Sequence, residues 1–283
     1  MQGGEVTTER YAPNVDADEK LISWSMGKSI TQALIGIAAA EGTIDVDAPA
    51  AVSEWSDPDD PRAAITVDHL LRMTSGLSFA EDYVDDQASD CLAMLFGEGK
   101  DDCAAYAASQ PLIADPGTTF NYSSGTTNIL CRLLGDIYGR DDAFSAWADS
   151  VLFHRIGMDV DLTFDAAGTW TGSSFLHATA RDFVTFGQLY LQDGRWGDDQ
   201  VLPSGWVEYA STKQAENDEG TGYGAHWWMR DNQPGVFQAS GYECQRIIVD
   251  PRSDSVVVRL GKTPIELAPN VDAWLDEILA ELL

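Results

Sequence analysis

Ser25 and Lys28 are three positions apart in the stretch Ser23-Trp24-Ser25-Met26-Gly27-Lys28-Ser29. In a helix, residues at i and i+3 lie on one face and their side chains can touch. Ser25 would then sit in the first turn, where unpaired N–H groups and the helix dipole favour negative charge on an oxygen. Lys28 beside it can accept the hydroxyl proton if burial or another cation holds it neutral, which is the arrangement of an activated nucleophile. The plainer reading is a capping serine followed by a surface lysine, and a pattern with two fixed positions often arises by chance. Two features weigh against that reading. The chain has only five lysines, and this one lies inside an otherwise apolar run that continues to Ala40.

The elements that must position this pair follow from periodicity and turn residues. Residues 25–41 read as the first clear helix, with Ile30, Leu34 and Ile37 as its apolar stripe and Gly42 as its stop. Shorter helices are expected over 66–72, 90–96, 102–109, 127–138, 143–153, 178–193 and 206–211. Residues 4–11 read as a short strand. From Tyr223 onward the pattern turns to β, with runs at 225–229, 236–239, 245–249 and 255–260 and a hairpin turn at Pro251-Arg252-Ser253-Asp254. Residues 270–283 read as an amphipathic helix with Val271, Trp274, Leu275, Ile278 and Leu282 on one side. Strands at both ends and helices between them predict an α/β (α+β) fold: one antiparallel sheet built from both chain ends, flanked by helices, with an inserted, mostly helical region. The expected division is a sheet domain from residues 1–42 and 200–283, a helical region at 43–199, and a site between them.

Composition excludes several classes of function. Lys plus Arg is 17 and Asp plus Glu is 46, a formal charge of −29. That opposes nucleic acid and anionic membrane surfaces as partners. A solvated acidic shell is the default reading, and adaptation to high salt fits the scarcity of lysine. No run is long enough to span a membrane, and the first residues lack a basic region followed by an apolar one, so the balance falls on a cytoplasmic protein with the compartment left open. Cys91, Cys103, Cys131 and Cys244 and the four histidines show no metal-ligand spacing, so no metal or organic cofactor is implied. Cys91 and Cys103 could pair in an exported protein. No oligomeric state follows from the sequence.

A Ser-His-Asp hydrolase of the nucleophile-elbow type would show G-x-S-x-G, and no serine here has glycine at both −2 and +2. The serine–lysine pair is left as the nucleophile candidate. Further motifs join it: His69-Leu70-Leu71-Arg72-Met73-Thr74-Ser75-Gly76-Leu77, Asn121-Tyr122-Ser123-Ser124-Gly125, Ala178-Thr179-Ala180-Arg181-Asp182, Tyr223-Gly224-Ala225-His226-Trp227-Trp228, and Ala239-Ser240-Gly241-Tyr242 followed by Gln245. In order and spacing this set resembles the serine hydrolases related to class C β-lactamases. It looks most like the branch that holds 6-aminohexanoate-dimer hydrolase and the β-lactamase-like carboxylesterases. The resemblance covers about residues 9–260.

The resemblance implies Ser25 as nucleophile, Lys28 as proton acceptor and Tyr122 as a second general acid/base. A tyrosine beside a lysine ammonium is expected to have its phenol pKa lowered. Backbone N–H groups of Ser25 and Tyr242 would form the oxyanion hole. Ser124, Ser240 and Gly241 would bind substrate, and Trp170 and Trp227, with Phe175, Trp228 and Phe237, are candidates to line an acyl pocket.

The sequence also departs from the family pattern. Ser124 stands where the β-lactamases have Asn in Tyr-x-Asn, and Ala239-Ser240-Gly241 stands for Lys-Thr-Gly. Cys244 occupies a position where glycine is usual. Relatives also carry an N-terminal helix and a further strand ahead of residues 4–11, so the expected sheet lacks both. The expected activity is hydrolysis of small esters or amides through an acyl-enzyme on Ser25. The alternatives are a D-amino-acid peptidase or amidase and a non-catalytic peptide-binding relative.

Overall fold

The computed structural model describes residues 1–83 and 89–283. In chain order the elements are β1 (Leu21–Ile22), α1 (Met26–Ala40), α2 (Val67–Leu71), α3 (Asp90–Phe96), α4 (Cys103–Ala108), α5 (Ser124–Tyr138), α6 (Asp142–Ala148) and α7 (His154–Ile156). They continue with β2 (Val160–Leu162), β3 (Leu176–Ala178), α8 (Ala180–Leu191), β4 (Arg195–Trp196), β5 (Asp199–Gln200) and α9 (Trp206–Ser211). The last are β6 (Ala215–Glu216), β7 (Gly222–Tyr223), β8 (Trp228–Met229), β9 (Phe237–Gly241), β10 (Gln245–Asp250), β11 (Ser255–Arg259) and α10 (Ala268–Leu282).

The main sheet is an antiparallel meander in the order β11-β10-β9-β8-β7-β6. Successive side chains on β10 point to opposite faces. Ile247 and Val249 enter the large core with α1 and α8, while Ile248 packs with Leu275 and Leu279 of α10. The sheet is therefore a middle layer, with α10 on one face and α8 and α1 on the other. Gly187 lets α8 lie close on the sheet, because a Cβ there would sit 2.4 Å from Val256. The last helix of the expected helical region thus packs on the sheet.

α1 is the centre of the molecule. Instead of one apolar stripe, every residue from Met26 to Ala38 is buried, because helices close over it on several sides. Gly36 allows the Trp206 indole to lie against the helix: a Cβ would meet Trp206 Nε1 at 2.3 Å, and that nitrogen donates to the Gln32 carbonyl at 3.1 Å.

Several expectations are corrected. The stretch 4–11 is not a strand. The N-terminus adds a single bridge, Gln2 to Ser255, and then Gly3 and Gly4, both at positive φ (59° and 79°), turn the chain off the sheet edge. To the main sheet the N-terminal end contributes only that bridge, and β1 pairs instead with β3 in a separate three-stranded sheet, β1-β3-β2. The helix expected over 143–153 is α6 followed by a π-helical turn at Asp149–Phe153. The run 225–229 shortens to Trp228–Met229, since His226 at φ 57° cannot continue a strand. Trp274 on α10 is 51% exposed, with Leu275 and Leu279 inward in its place. All four cysteines are free and buried, Cys91 and Cys103 included. Among the described residues no helix is long and apolar enough to cross a membrane.

Candidate active site

The chain leaves β1 through Trp24, whose left-handed turn (φ 44°) delivers it into α1. Ser25 is the N-cap of α1, yet its side chain makes no capping bond. Its hydroxyl instead accepts from Lys28 Nζ at 2.9 Å. Lys28 is 1% exposed, so it is not the surface lysine of the plainer reading. Its other N–H groups go to Ser124 Oγ at 2.8 Å and to the Ser173 carbonyl at 3.0 Å. Gly27 makes the last contact possible. A Cβ at position 27 would lie 2.5 Å from the Gly172 carbonyl oxygen, so only glycine lets the 172–174 segment approach the helix.

Tyr122 precedes α5, and its ring centroid lies 5.0 Å from Lys28 Nζ, close enough for a cation–π contact. Ser25 and Lys28 lie near enough to the phenol to pull its pKa down. The phenol pKa is raised, against the expectation that Lys28 would lower it. Burial is the largest cause and outweighs the pull of Lys28, and the Glu81 carboxylate adds to the rise. Tyr122 is thus held protonated.

Ser124 is the first residue of α5 and fully buried. Its hydroxyl accepts from Lys28 and donates to Glu81 Oε1 at 2.6 Å, while its N–H donates to Glu81 Oε2 at 2.7 Å. Tyr83 OH also donates to Glu81 Oε1, at 2.7 Å. Sequence reasoning missed Glu81. Asp82 follows it directly, and nothing in the local sequence sets it apart from the chain's other acids.

At the end of β9, Gly241 packs against the first segment of the site, since a Cβ there would lie 2.5 Å from the Ser23 carbonyl oxygen. Tyr242 follows, its ring edge-on to Trp24 at 5.7 Å and stacked on Tyr83 at 4.7 Å. The next two residues, Glu243 (φ 57°) and Cys244 (φ 66°), are both left-handed, the conformation that glycine adopts without strain. Arg259 Nη1 donates to the carbonyls of Glu243 and Cys244 at 2.8 and 3.1 Å, and Arg246 Nη1 to those of Gly241 and Gln245 at 3.3 and 3.0 Å. Two guanidinium groups thus pin this turn.

The remaining expected residues separate. Ser240 lies on the opposite face of β9 from Gly241, and its hydroxyl accepts from Gln238 at 3.0 Å. Trp170 and Trp227 do not line the site. Trp170 is 1% exposed and packs on Phe144. Trp227 is fully buried against Tyr190, Phe186 and Phe237. The aromatics beside the site are Trp24, Tyr83, Tyr242, Phe175 (5.9 Å from Trp24) and Trp228 (5.2 Å from Tyr122). Trp24 and Tyr83 carried no motif that marked them. His226 is structural. Its Nδ1 meets the Leu71 carbonyl at 2.8 Å and its Nε2 meets Thr127 Oγ1 at 2.9 Å, and burial lowers its pKa to about 3.

A helix-start serine touching a buried lysine, with a tyrosine over that lysine and a strand end beside them, is the layout of the β-lactamase and transpeptidase fold. The beta-lactamase family profile matches residues 1–280. The chain belongs to that family. It is 28% identical to the 6-aminohexanoate-dimer hydrolase of Paenarthrobacter ureafaciens, over 93% of this chain and 71% of that protein. In structure it is similar to a candidate 6-aminohexanoate-dimer hydrolase from Bacillus anthracis, with a TM-score of 0.83 and 23% identity over 100% of this chain and 78% of the other. It also matches a family VIII carboxylesterase, with a TM-score of 0.68 and 15% identity over 88% and 79% of the two chains.

Proposed function

We propose that the protein is a serine hydrolase that forms an acyl-enzyme on Ser25 and releases it with water, acting on small carboxylic esters or amides. The observation that carries this reading is the buried Lys28 amine 2.9 Å from a Ser25 hydroxyl that makes no capping bond. Ser25 Oγ attacks the carbonyl carbon as its proton passes to Lys28. Negative charge collects on the carbonyl oxygen, and the N–H groups of Ser25 and Tyr242 stabilise it. Tyr122, kept protonated by burial, gives its proton to the leaving alcohol or amine and recovers one from Lys28. Water then repeats the sequence on the acyl-enzyme.

Esters are favoured over β-lactams. A β-lactam carries a carboxylate that requires a cation, and the position before Ser240 is the buried Ala239. The amide-hydrolysing relatives favour linear amides as the second substrate class. A non-catalytic peptide-binding role has less support, because it gives no reason for Ser25, Lys28 and Tyr122 to converge.

The test is mass mapping of the acylated residue after an activated ester, with kcat/KM measured for p-nitrophenyl butyrate, a 6-aminohexanoate dimer and nitrocefin. Ser25→Ala abolishes turnover, and Lys28→Ala and Tyr122→Phe each cost roughly 10²-fold or more. Full activity in Ser25→Ala refutes the mechanism. A nitrocefin value at or above that for the ester refutes the substrate class.

A further inference from the structure

We propose that Glu81 is a positioning residue for the base: through the Ser124 hydroxyl it fixes which way the Lys28 amine points and matches the charge that Lys28 acquires. This rests on the reading of Ser25 as nucleophile and Lys28 as its proton acceptor.

The hydrogen-bond inventory around Lys28 fixes the direction of each contact. A serine hydroxyl has one proton, and the proton of Ser124 goes to Glu81 Oε1, 2.6 Å away. Toward Lys28, 2.8 Å away, Ser124 therefore presents only a lone pair. The Ser173 carbonyl at 3.0 Å likewise only accepts. As an ammonium, Lys28 donates to all three neighbours; in the neutral form that the reaction uses, it has two N–H bonds and one lone pair. With Ser124 and Ser173 taking both N–H bonds, the lone pair falls on the third neighbour, Ser25 Oγ at 2.9 Å. Without the Glu81 carboxylate, Ser124 is free to turn its proton onto that lone pair, and Lys28 no longer faces Ser25 as a base. When the Ser25 proton moves onto Nζ and Oγ bonds to the carbonyl carbon, the ammonium formed stands two hydrogen bonds from a carboxylate. This is the logic of an orienting acid behind a general base.

Among the described residues, the other titratable groups around Lys28 do not supply that charge. Burial raises the Cys91 thiol on α3 and the Cys131 thiol on α5 to about 12, and lowers His226, ahead of β8, to about 3. Tyr122 beside Lys28, and Tyr83 and Tyr223 nearer Glu81, are raised by burial and stay neutral. Cys91 and Tyr122 feel both the Lys28 and the Glu81 charge, which places the two charges around the same buried group of side chains.

The experiment is the pH profile of kcat/KM for p-nitrophenyl butyrate in wild type, Glu81→Gln, Glu81→Asp and Ser124→Ala, with thermal melts on each. The acid limb reports the free enzyme's base. Removing the anion makes the ammonium easier to deprotonate. Glu81→Gln therefore moves the acid limb down by about one pH unit, with kcat about tenfold lower and KM little changed. Glu81→Asp keeps the charge, and its limb stays in place. A limb in Glu81→Gln that coincides with wild type overturns the proposal, because a carboxylate that only holds the start of α5 would lower the melting point and leave the limb alone. If Glu81→Gln does not fold, Ser124→Ala decides: it retains the backbone bond to Glu81 and cuts only the hydroxyl link. A tenfold loss of kcat at constant KM in that variant supports the relay, and wild-type kcat refutes it. Activity surviving in Ser25→Ala would instead condemn the underlying mechanism, so the two failures are told apart.

Discussion

Gly27→Ala sets two known effects against each other at the centre of the site. Replacing glycine by alanine inside a helix ordinarily stabilises by about 1 kcal/mol. Here the new methyl would lie 2.5 Å from the Gly172 carbonyl oxygen, where ordinary contact begins at 3.4 Å. The 172–174 segment must retreat by about 0.9 Å, and both sides are backbone, so no side chain can swing aside. A retreat of that size takes the Ser173 carbonyl from 3.0 Å to beyond hydrogen-bonding reach of Lys28. Overpacking costs about 1–3 kcal/mol and loss of a charged buried hydrogen bond about 1.5–3 kcal/mol, so the loss exceeds the propensity gain. The net destabilisation of about 1.5–5 kcal/mol lowers Tm by roughly 3–20 °C in a domain of this size. A freed Lys28 also costs on the order of 10²-fold in kcat. Gly135→Ala is the control, since the nearest atom to its Cβ is 3.7 Å away in Arg140, so the same substitution there raises Tm. Thermal melts and p-nitrophenyl butyrate kinetics on both variants check the pair. A Gly27→Ala protein that melts higher than wild type and keeps its kcat would refute the steric account of the Ser-x-Gly-Lys spacing.

Burial of His226 gives a pH dependence with a definite sign. Its folded pKa of about 3 lies below the ordinary imidazole value of 6.5, so between those limits the unfolded chain binds the extra proton. Stability from this group is full above pH 6.5 and falls by about 1.4 kcal/mol for each unit below it. His226→Asn, which tolerates the left-handed backbone, has a flatter curve in urea titrations from pH 7 to 5, and parallel curves would remove His226 as the cause. The net charge of −29 predicts that Tm rises from dilute buffer to molar potassium chloride, as ions screen self-repulsion. An unchanged or lower Tm would show that the acidic surface does not strain the fold.

Legibility in the sequence tracked the locality of the signal. α3 and α9 fall on their expected bounds, Asp90–Phe96 and Trp206–Ser211. α3 starts at a serine whose hydroxyl accepts from the Leu92 N–H. Ser25, Lys28, Tyr122 and the Gly241–Tyr242 corner were named from short motifs, and the structure brings them into one region. The tryptophan pair shows where this fails. Trp227 and Trp228 are adjacent, so one must point away from the other's surroundings, and composition cannot say which. The left-handed His226 decides it by making the strand start late, which sends Trp227 into the core and leaves Trp228 beside Tyr122. Residues 4–11 failed for a related reason: β-propensity reports fitness for a pleated surface, and Gly3 and Gly4 turn this stretch away from one.

Glu81 was hidden because this chain carries 46 acids, which makes any one of them uninformative in sequence. Its place in space changes the meaning of Ser124. A serine in that position looks like a shortened substrate-binding residue. With its proton committed to Glu81 and a lone pair committed to Lys28, it has no donor left to offer an acylamino carbonyl. Ala239 and Glu81 then have one physical consequence. Ala239 removes the cation that would meet a substrate carboxylate, and Glu81 puts an anion behind the base. Both disfavour anionic acylamino substrates, and a simple ester, which has neither a carboxylate nor an acylamino carbonyl, meets neither penalty.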